Sequence, residues 1–235
     1  MNLKYCTFTG IDEKFSLEQL EILASRHPFL EWGILFSTTS NNNRYPNEKW
    51  FELVLPQIFN IIEKTNNSLA LHVCGKETIN LIDNTNSFFD FLLPHFNRVQ
   101  INFIYSDDKK DKLMDLFKYY PDINFITQDN YKNRQIKYEF IDIKNHSILF
   151  DSSGGRGFIP KEINPPLTDK FCGYAGGMGP DNIQKMLSII DDVCEQPYWI
   201  DMENNIRTND WLDYSKCLEV AKVVQSFLYK KNIKL

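Results

Sequence analysis

The residues of this sequence best suited to chemistry gather around glycine. FCGYAGGMGPDN at 171–182 contains Gly173, Gly176, Gly177 and Gly179, and DSSGGRG at 151–157 contains Gly154, Gly155 and Gly157. Seven of the ten glycines therefore lie in two short stretches. Glycine lets backbone amides approach a ligand closely, and Pro180 suits the first turn of a helix whose unpaired N–H groups attract anions. AGGMGPDN reads as an anion site, for phosphate above all. The blander reading of these glycines is a tight turn at the end of a crowded strand.

A second set of polar residues sits at the ends of short apolar runs: Lys4, Cys6 and Thr9, then His72 and Cys74, Gln100 and Asn102, Asp151, and Asp201 and Glu203, with Arg44 in an Asn-rich loop. Side chains alternate faces along a strand, so Lys4 pairs with Cys6, His72 with Cys74 and Asp201 with Glu203 on one face. A thiol near an ammonium group is more acidic and can act as a base. An aspartic acid in a partly desolvated site can hold its proton near neutral pH and act as an acid. His72, Asp201 and Glu203 are of types that suit a divalent metal. The chain has neither an H-x-x-x-H pair nor a carboxylate-rich loop, so no metal and no other cofactor is expected.

Strands are expected at 3–8, 32–36, 69–74, 99–104, 124–127, 147–150, 171–175 and 198–201. Helical patterns follow most of them: 16–26 capped by Ser16, 47–64 capped by Asn47 and bent near Pro56, 77–93, 109–119, 180–193 and 213–229. Eight strand-then-helix units imply right-handed crossovers and a parallel sheet, and eight is the count of a (β/α)8 barrel. A doubly wound open sheet is the alternative, but no G-x-G-x-x-G follows the first strand. With no repeat and no break in composition, residues 1–235 read as a single (β/α)8 domain, α/β in class. Such barrels place their sites at the C-terminal ends of the strands, where the polar residues lie.

Composition narrows the function. A formal net charge of −5 argues against nucleic acid as partner. The sequence shows no apolar run of membrane-spanning length and no evident signal peptide. Five cysteines without a C-x-x-C pair suit reduced thiols and a cytoplasmic protein. The expected partner is a small phosphorylated molecule, bound by a monomer or homodimer.

AGGMGPDNI resembles the AGGL-x-P-x-NV stretch of the phosphoribosylanthranilate isomerase family. In the same order, LKYCT resembles that family's VKICG, GILFSTTSNNNRYP its GF-x-F-x-x-x-SPRY segment, VQINF its VQLHG and LFDSSGGRG its LLD…GG-x-G. The resemblance implies an Amadori rearrangement of a phosphorylated sugar derivative. Asp151 is then the general acid and Cys6 the general base. Arg44 takes a carboxylate, and Gly155, Gly157, Gly176, Gly177 and Gly179 hold the phosphate. Lys4, His72, Gln100, Asn102, Asp201, Glu203 and Arg207 complete the substrate-binding set. One departure is plain: the strand-eight loop reads DMENNIR where the family has small residues, which sets Glu203 beside the expected phosphate, with Arg207 or Arg156 as possible counter-charges. Two alternatives stay open: a different phosphate-binding barrel enzyme, a lyase or epimerase using His72, Asp201 and Glu203 with or without a metal, and a barrel that binds a ligand without chemistry.

Overall fold

Apolar strand segments with helices between them have one economical way to bury both faces of a parallel sheet, which is to close it. The computed structural model describes residues 2–233 except positions 41, 152, 154, 155, 158, 160, 161, 164, 167 and 168; Gly155 therefore lies outside the described residues. In chain order the elements are β1 (Leu3–Thr9), α1 (Leu17–Arg26), β2 (Leu30–Phe36), α2 (Glu48–Leu53), α3 (Leu55–Thr65), β3 (Ser68–Val73), α4 (Lys76–Ile82), α5 (Phe88–Leu92), β4 (Arg98–Ile101), α6 (Lys110–Tyr119), β5 (Asn124–Asp129), α7 (Ile136–Glu139), β6 (His146–Phe150), β7 (Cys172–Ala175), α8 (Ile183–Val193), β8 (Tyr198–Met202), β9 (Arg207–Thr208), β10 (Trp211–Leu212) and α9 (Tyr214–Ile233). Strands β1 to β8 pair in sequence order, all parallel, and β8 pairs with β1 to close a (β/α)8 barrel.

The local signals act as their chemistry requires. Ser16 caps α1 in a reciprocal box: Gln19 N donates to Ser16 Oγ at 3.2 Å and Ser16 N to Gln19 Oε1 at 3.3 Å. Asn47 Oδ1 accepts from Trp50 N at 3.0 Å and starts α2. The helix expected over 47–64 divides at Val54, which ends α2 and opens α3, because Pro56 has no N–H to continue the ladder but fits a first turn. The strand expected over 99–104 stops at Ile101. The helix expected from Pro180 begins at Ile183, since residues 179–182 form a turn.

Side chains pointing out of the barrel, among them Phe8, Trp32, Leu71, Val99, Phe125 and Ile200, pack under the helices as the main apolar core. Inside the barrel the apolar cluster is small, with Ile126, Leu149 and Trp199 at its centre. The rest of the interior is polar. Near its floor Arg98 NH1 donates to Glu31 Oε1 at 2.8 Å, and Glu31 also accepts from Thr7 Oγ1 at 2.8 Å and Ser68 Oγ at 2.9 Å. The Arg98 guanidinium lies 3.8 Å from the ring centroid of Trp199, 5.3 Å from Phe171 and 5.5 Å from Tyr5. Its Nε and NH2 have no hydrogen-bond partner among the described residues, so the ring faces supply the remaining stabilisation of the charge.

This floor has a measurable signature. Arg98→Ala strands Glu31 as an uncompensated buried charge and is expected to cost about 3–5 kcal/mol. Replacing both partners (Glu31→Leu with Arg98→Met) is expected to recover most of that loss, as read by urea unfolding at neutral pH.

Candidate active site

The C-terminal ends of the strands open into a cavity of about 450 Å³. At its base Asp201, in β8, faces Thr9, the last residue of β1, and His72, in β3. Thr9 Oγ1 donates to Asp201 Oδ1 at 2.7 Å, and His72 Nε2 lies 4.0 Å from Asp201 Oδ2. Burial drives both groups to their neutral forms. Desolvation pushes the Asp201 carboxyl up to about 8, aided by the charges of Glu203, Glu31 and Asp151 and opposed by the Thr9 hydrogen bond. Desolvation, with the nearby Arg98 charge, takes His72 down to about 3. Despite their closeness they do not form an ion pair at pH 7, where they are a carboxylic acid beside a neutral imidazole.

One wall is built of amides. Gln100 Nε2 donates to Asn102 Oδ1 at 2.8 Å, and Asn102 Nδ2 donates to Cys74 Sγ at 3.0 Å. Gln100 Oε1 is buried with no hydrogen-bond partner among the described residues. Burial raises the Cys74 thiol, and Tyr45 reaches it from the loop after β2. On the far side Asp151 follows β6, and its Oδ1 accepts from Ser153 N at 3.1 Å and Ser153 Oγ at 2.6 Å. At the mouth Arg44 extends between two acids: Nε to Asp210 Oδ1 at 2.6 Å and NH1 to Glu203 Oε1 at 2.6 Å, with Asn204 Oδ1 at 2.5 Å.

The glycine loops meet the strand-eight loop directly. A Cβ at Gly179 would stand 2.5 Å from Asn205 Cβ, and one at Gly157 would stand 2.5 Å from Asn204 Nδ2. Gly177 O accepts from Asn205 Nδ2 at 2.7 Å and from Asn182 Nδ2 at 2.8 Å, while Gly179 N donates to Asn182 Oδ1 at 3.0 Å. The amides of Asn182 and Ile183 both donate to Gly179 O. These two amides at the start of α8 are thus taken up by its own turn. Gly176 and Gly177, at φ +112° and +63°, do line the cavity.

Of the residues singled out in the sequence, the cavity gathers Thr9, Arg44, His72, Cys74, Gln100, Asn102, Asp151, Gly157, Gly176, Gly177, Asp201 and Glu203. It does not gather five others. Cys6 points outward, fully buried between β1 and α9, and burial, with Cys217 nearby, pushes its thiol well up, the reverse of an activated thiolate. The register that turns Thr9 inward turns Cys6 away. Lys4 is exposed at the N-terminal end of β1, beside a shift in the β1–β8 register, far from the C-terminal face. Arg207 is buried and bonded to Asp12 Oδ2 at 3.0 Å and to the carbonyl of Gly10, so it neutralises Asp12 and not Glu203. Gly179 packs on Asn205 behind the cavity wall. Arg156 donates to Ser153 O at 2.9 Å and lies over Tyr131, likewise outside the cavity lining.

Gln128, Asn204, Asn205 and Asp210 line the cavity without having been singled out in the sequence. Asp210 arrives on the β9–β10 hairpin, whose turn residues Asn209 and Asp210 both have positive φ. Asn-Asp between RT and WL was the available signal for that turn. The amides had no comparable signal, because Asn and Gln are common on any loop.

The closed eight-stranded sheet and the polar cavity at its C-terminal rim define the chain as a (β/α)8 barrel. Within that class it shares its fold with phosphoribosylanthranilate isomerase from Thermotoga maritima, at 14% identity and a TM-score of 0.61, covering 95% of this chain and 100% of the other. N-(5'-phosphoribosyl)anthranilate isomerase from Pyrococcus furiosus is similar at 15% identity and TM-score 0.53, covering 94% and 98%. A phospho-2-dehydro-3-deoxyheptonate aldolase from Thermotoga maritima also matches, at 11% identity and TM-score 0.59, covering 96% of this chain and 69% of that one. No protein-family model and no curated protein sequence matches the chain.

The state of Asp201 leads to a stability test. Its native value of about 8 lies above the ordinary 3.8, so the folded protein keeps a proton that the unfolded chain releases between those values. Stability therefore falls as pH rises through that window. Asp201→Asn is expected to abolish this component: its Tm should match the native protein's near pH 4 and exceed it by several degrees near pH 8, about 2–4 °C per kcal/mol. An equal pH dependence in both proteins refutes the buried neutral acid.

Proposed function

We propose that this barrel is an acid–base isomerase that interconverts the aldose and ketose forms of a small sugar derivative. The observation that carries the reading is the pairing of Asp201, kept protonated by burial, with Asp151 on the same cavity, from strands on either side of β7. Asp201 gives its proton to the substrate's carbonyl or ring oxygen. Asp151 takes the proton from the adjacent carbon to give an enediol; Asp201 then takes back a proton from the hydroxyl on that carbon as Asp151 delivers its proton to the former carbonyl carbon, so both acids end as they began. His72, neutral and buried, and the Gln100–Asn102 amides hold hydroxyl groups in place.

Likeness of fold to phosphoribosylanthranilate isomerases supports an isomerase of this general kind. The Amadori rearrangement implied by the sequence resemblance assigned the acid to Asp151 and the base to Cys6. Because Cys6 faces the helices, the two proton-transfer roles here pass to Asp201 and Asp151. The metal-assisted alternative is supported less well: Glu203 is turned to Arg44, and no group of three His, Cys, Asp or Glu among the described residues is placed to hold an ion.

The reaction class is tested with aldoses and ketoses in D2O, following carbon-bound hydrogen exchange and isomer formation by NMR. Asp201→Asn and Asp151→Asn are each expected to lower the rate by roughly 10²–10⁴-fold. The native rate is expected to fall above pH about 8, where the Asp201 carboxyl ionises and can no longer donate. Exchange that survives both substitutions overturns the assignment.

A further inference from the structure

Resting on that isomerase reading, we propose that the substrate is an uncharged polyhydroxylated compound, a free sugar or polyol derivative, and that this cavity does not take a phosphate ester. Beside Gly179 and Gly157 the space between the glycine loops and the β8 loop is filled. Asn205 lies flush against the Gly179 backbone and Asn204 against Gly157, so close that neither glycine has room for a methyl group. Gly177 turns its carbonyl, an acceptor, to the Asn205 and Asn182 amides. The Gly179 amide is spent on Asn182.

Charge leads to the same conclusion. Four carboxyl groups line the cavity, those of Asp151, Asp201, Glu203 and Asp210, and Arg44 is the one Lys or Arg among the described lining residues. Arg44 is already shared between Glu203 and Asp210. A phosphate dianion here would meet more negative than positive charge in a partly desolvated space.

What the cavity offers in quantity is carboxamide: Asn42, Gln100, Asn102, Gln128, Asn204 and Asn205 line it. Each carboxamide both donates and accepts, as each hydroxyl of a sugar does, and neither carries charge. Gln100 Oε1, buried and without a partner among the described residues, is an acceptor that a ligand hydroxyl would satisfy.

The test uses the full chain and compares ribose, xylose, glucose and fructose with ribose 5-phosphate, glucose 6-phosphate, fructose 6-phosphate and inorganic phosphate, by calorimetric titration and thermal shift. At least one free sugar is expected to bind, with its phosphate ester weaker by about tenfold or more, equivalent to ~1.4 kcal/mol. The triple variant Glu203→Ser, Asn204→Gly, Asn205→Gly is expected to narrow or reverse that order. An ester that binds the native protein as tightly as its parent sugar, or a panel in which no free sugar binds, overturns the proposal. Sugar binding in the expected order without hydrogen exchange in D2O upholds this substrate class and rejects the isomerase reading instead.

Discussion

The closing of β8 onto β1 is the constraint on which the rest depends. The two strands pair in parallel with Thr7 opposite Asp201 and Phe8 opposite Met202. Side chains alternate along a strand, so this one register assigns every neighbour to the barrel interior or to the helix layer. Thr7, Thr9 and Asp201 go in, while Cys6, Phe8 and Met202 go out. A slip of one residue would set Cys6 beside Asp201 on the same face, so that either the Asp201 carboxyl turned under the helices or the Cys6 thiol turned into the cavity.

The interior that results holds more charge than packing alone would favour, and it is organised by level. At the floor Arg98 is matched to Glu31 and enclosed by aromatic rings. At the mouth Arg44 is matched to Glu203 and Asp210. Below the strand-eight loop Arg207 is matched to Asp12. Asp201 lies between these levels, and its close partners among the described residues are Thr9 and His72, neither of them cationic at neutral pH. Desolvation then decides its state, and a carboxylic acid survives where a carboxylate would be the ordinary form. The geometry that makes it costly in stability also equips it to donate a proton.

The elements themselves could be read from the chain because their signals are local. Ser16 with Gln19, Asn47 ahead of Trp50 and Pro56 within a helical pattern act through neighbours a few residues away, and each worked as its chemistry implied. The glycine-rich segment is legible as a strand and a loop leading into a helix, but not what packs against it or that the helix waits until Ile183. Nothing within FCGYAGGMGPDN announces that Asn205, more than twenty residues on, will occupy the space beside Gly179. Asp210 and Gln128 escaped notice for the same reason: they reach the cavity from separate elements.

By itself the sequence determined eight strand-and-helix units, hence a closed parallel barrel, and a concentration of polar residues at one end of it. These follow from periodicity and turn chemistry, which operate over a few residues. Only the tertiary structure decided which of those residues share a cavity, because that depends on strand parity around a closed sheet. It moved Cys6 out and left Thr9 in, tied Arg207 to Asp12, and set Asp201 at a depth where burial keeps its proton. Parity and depth are properties of the assembled barrel, and no single segment carries them.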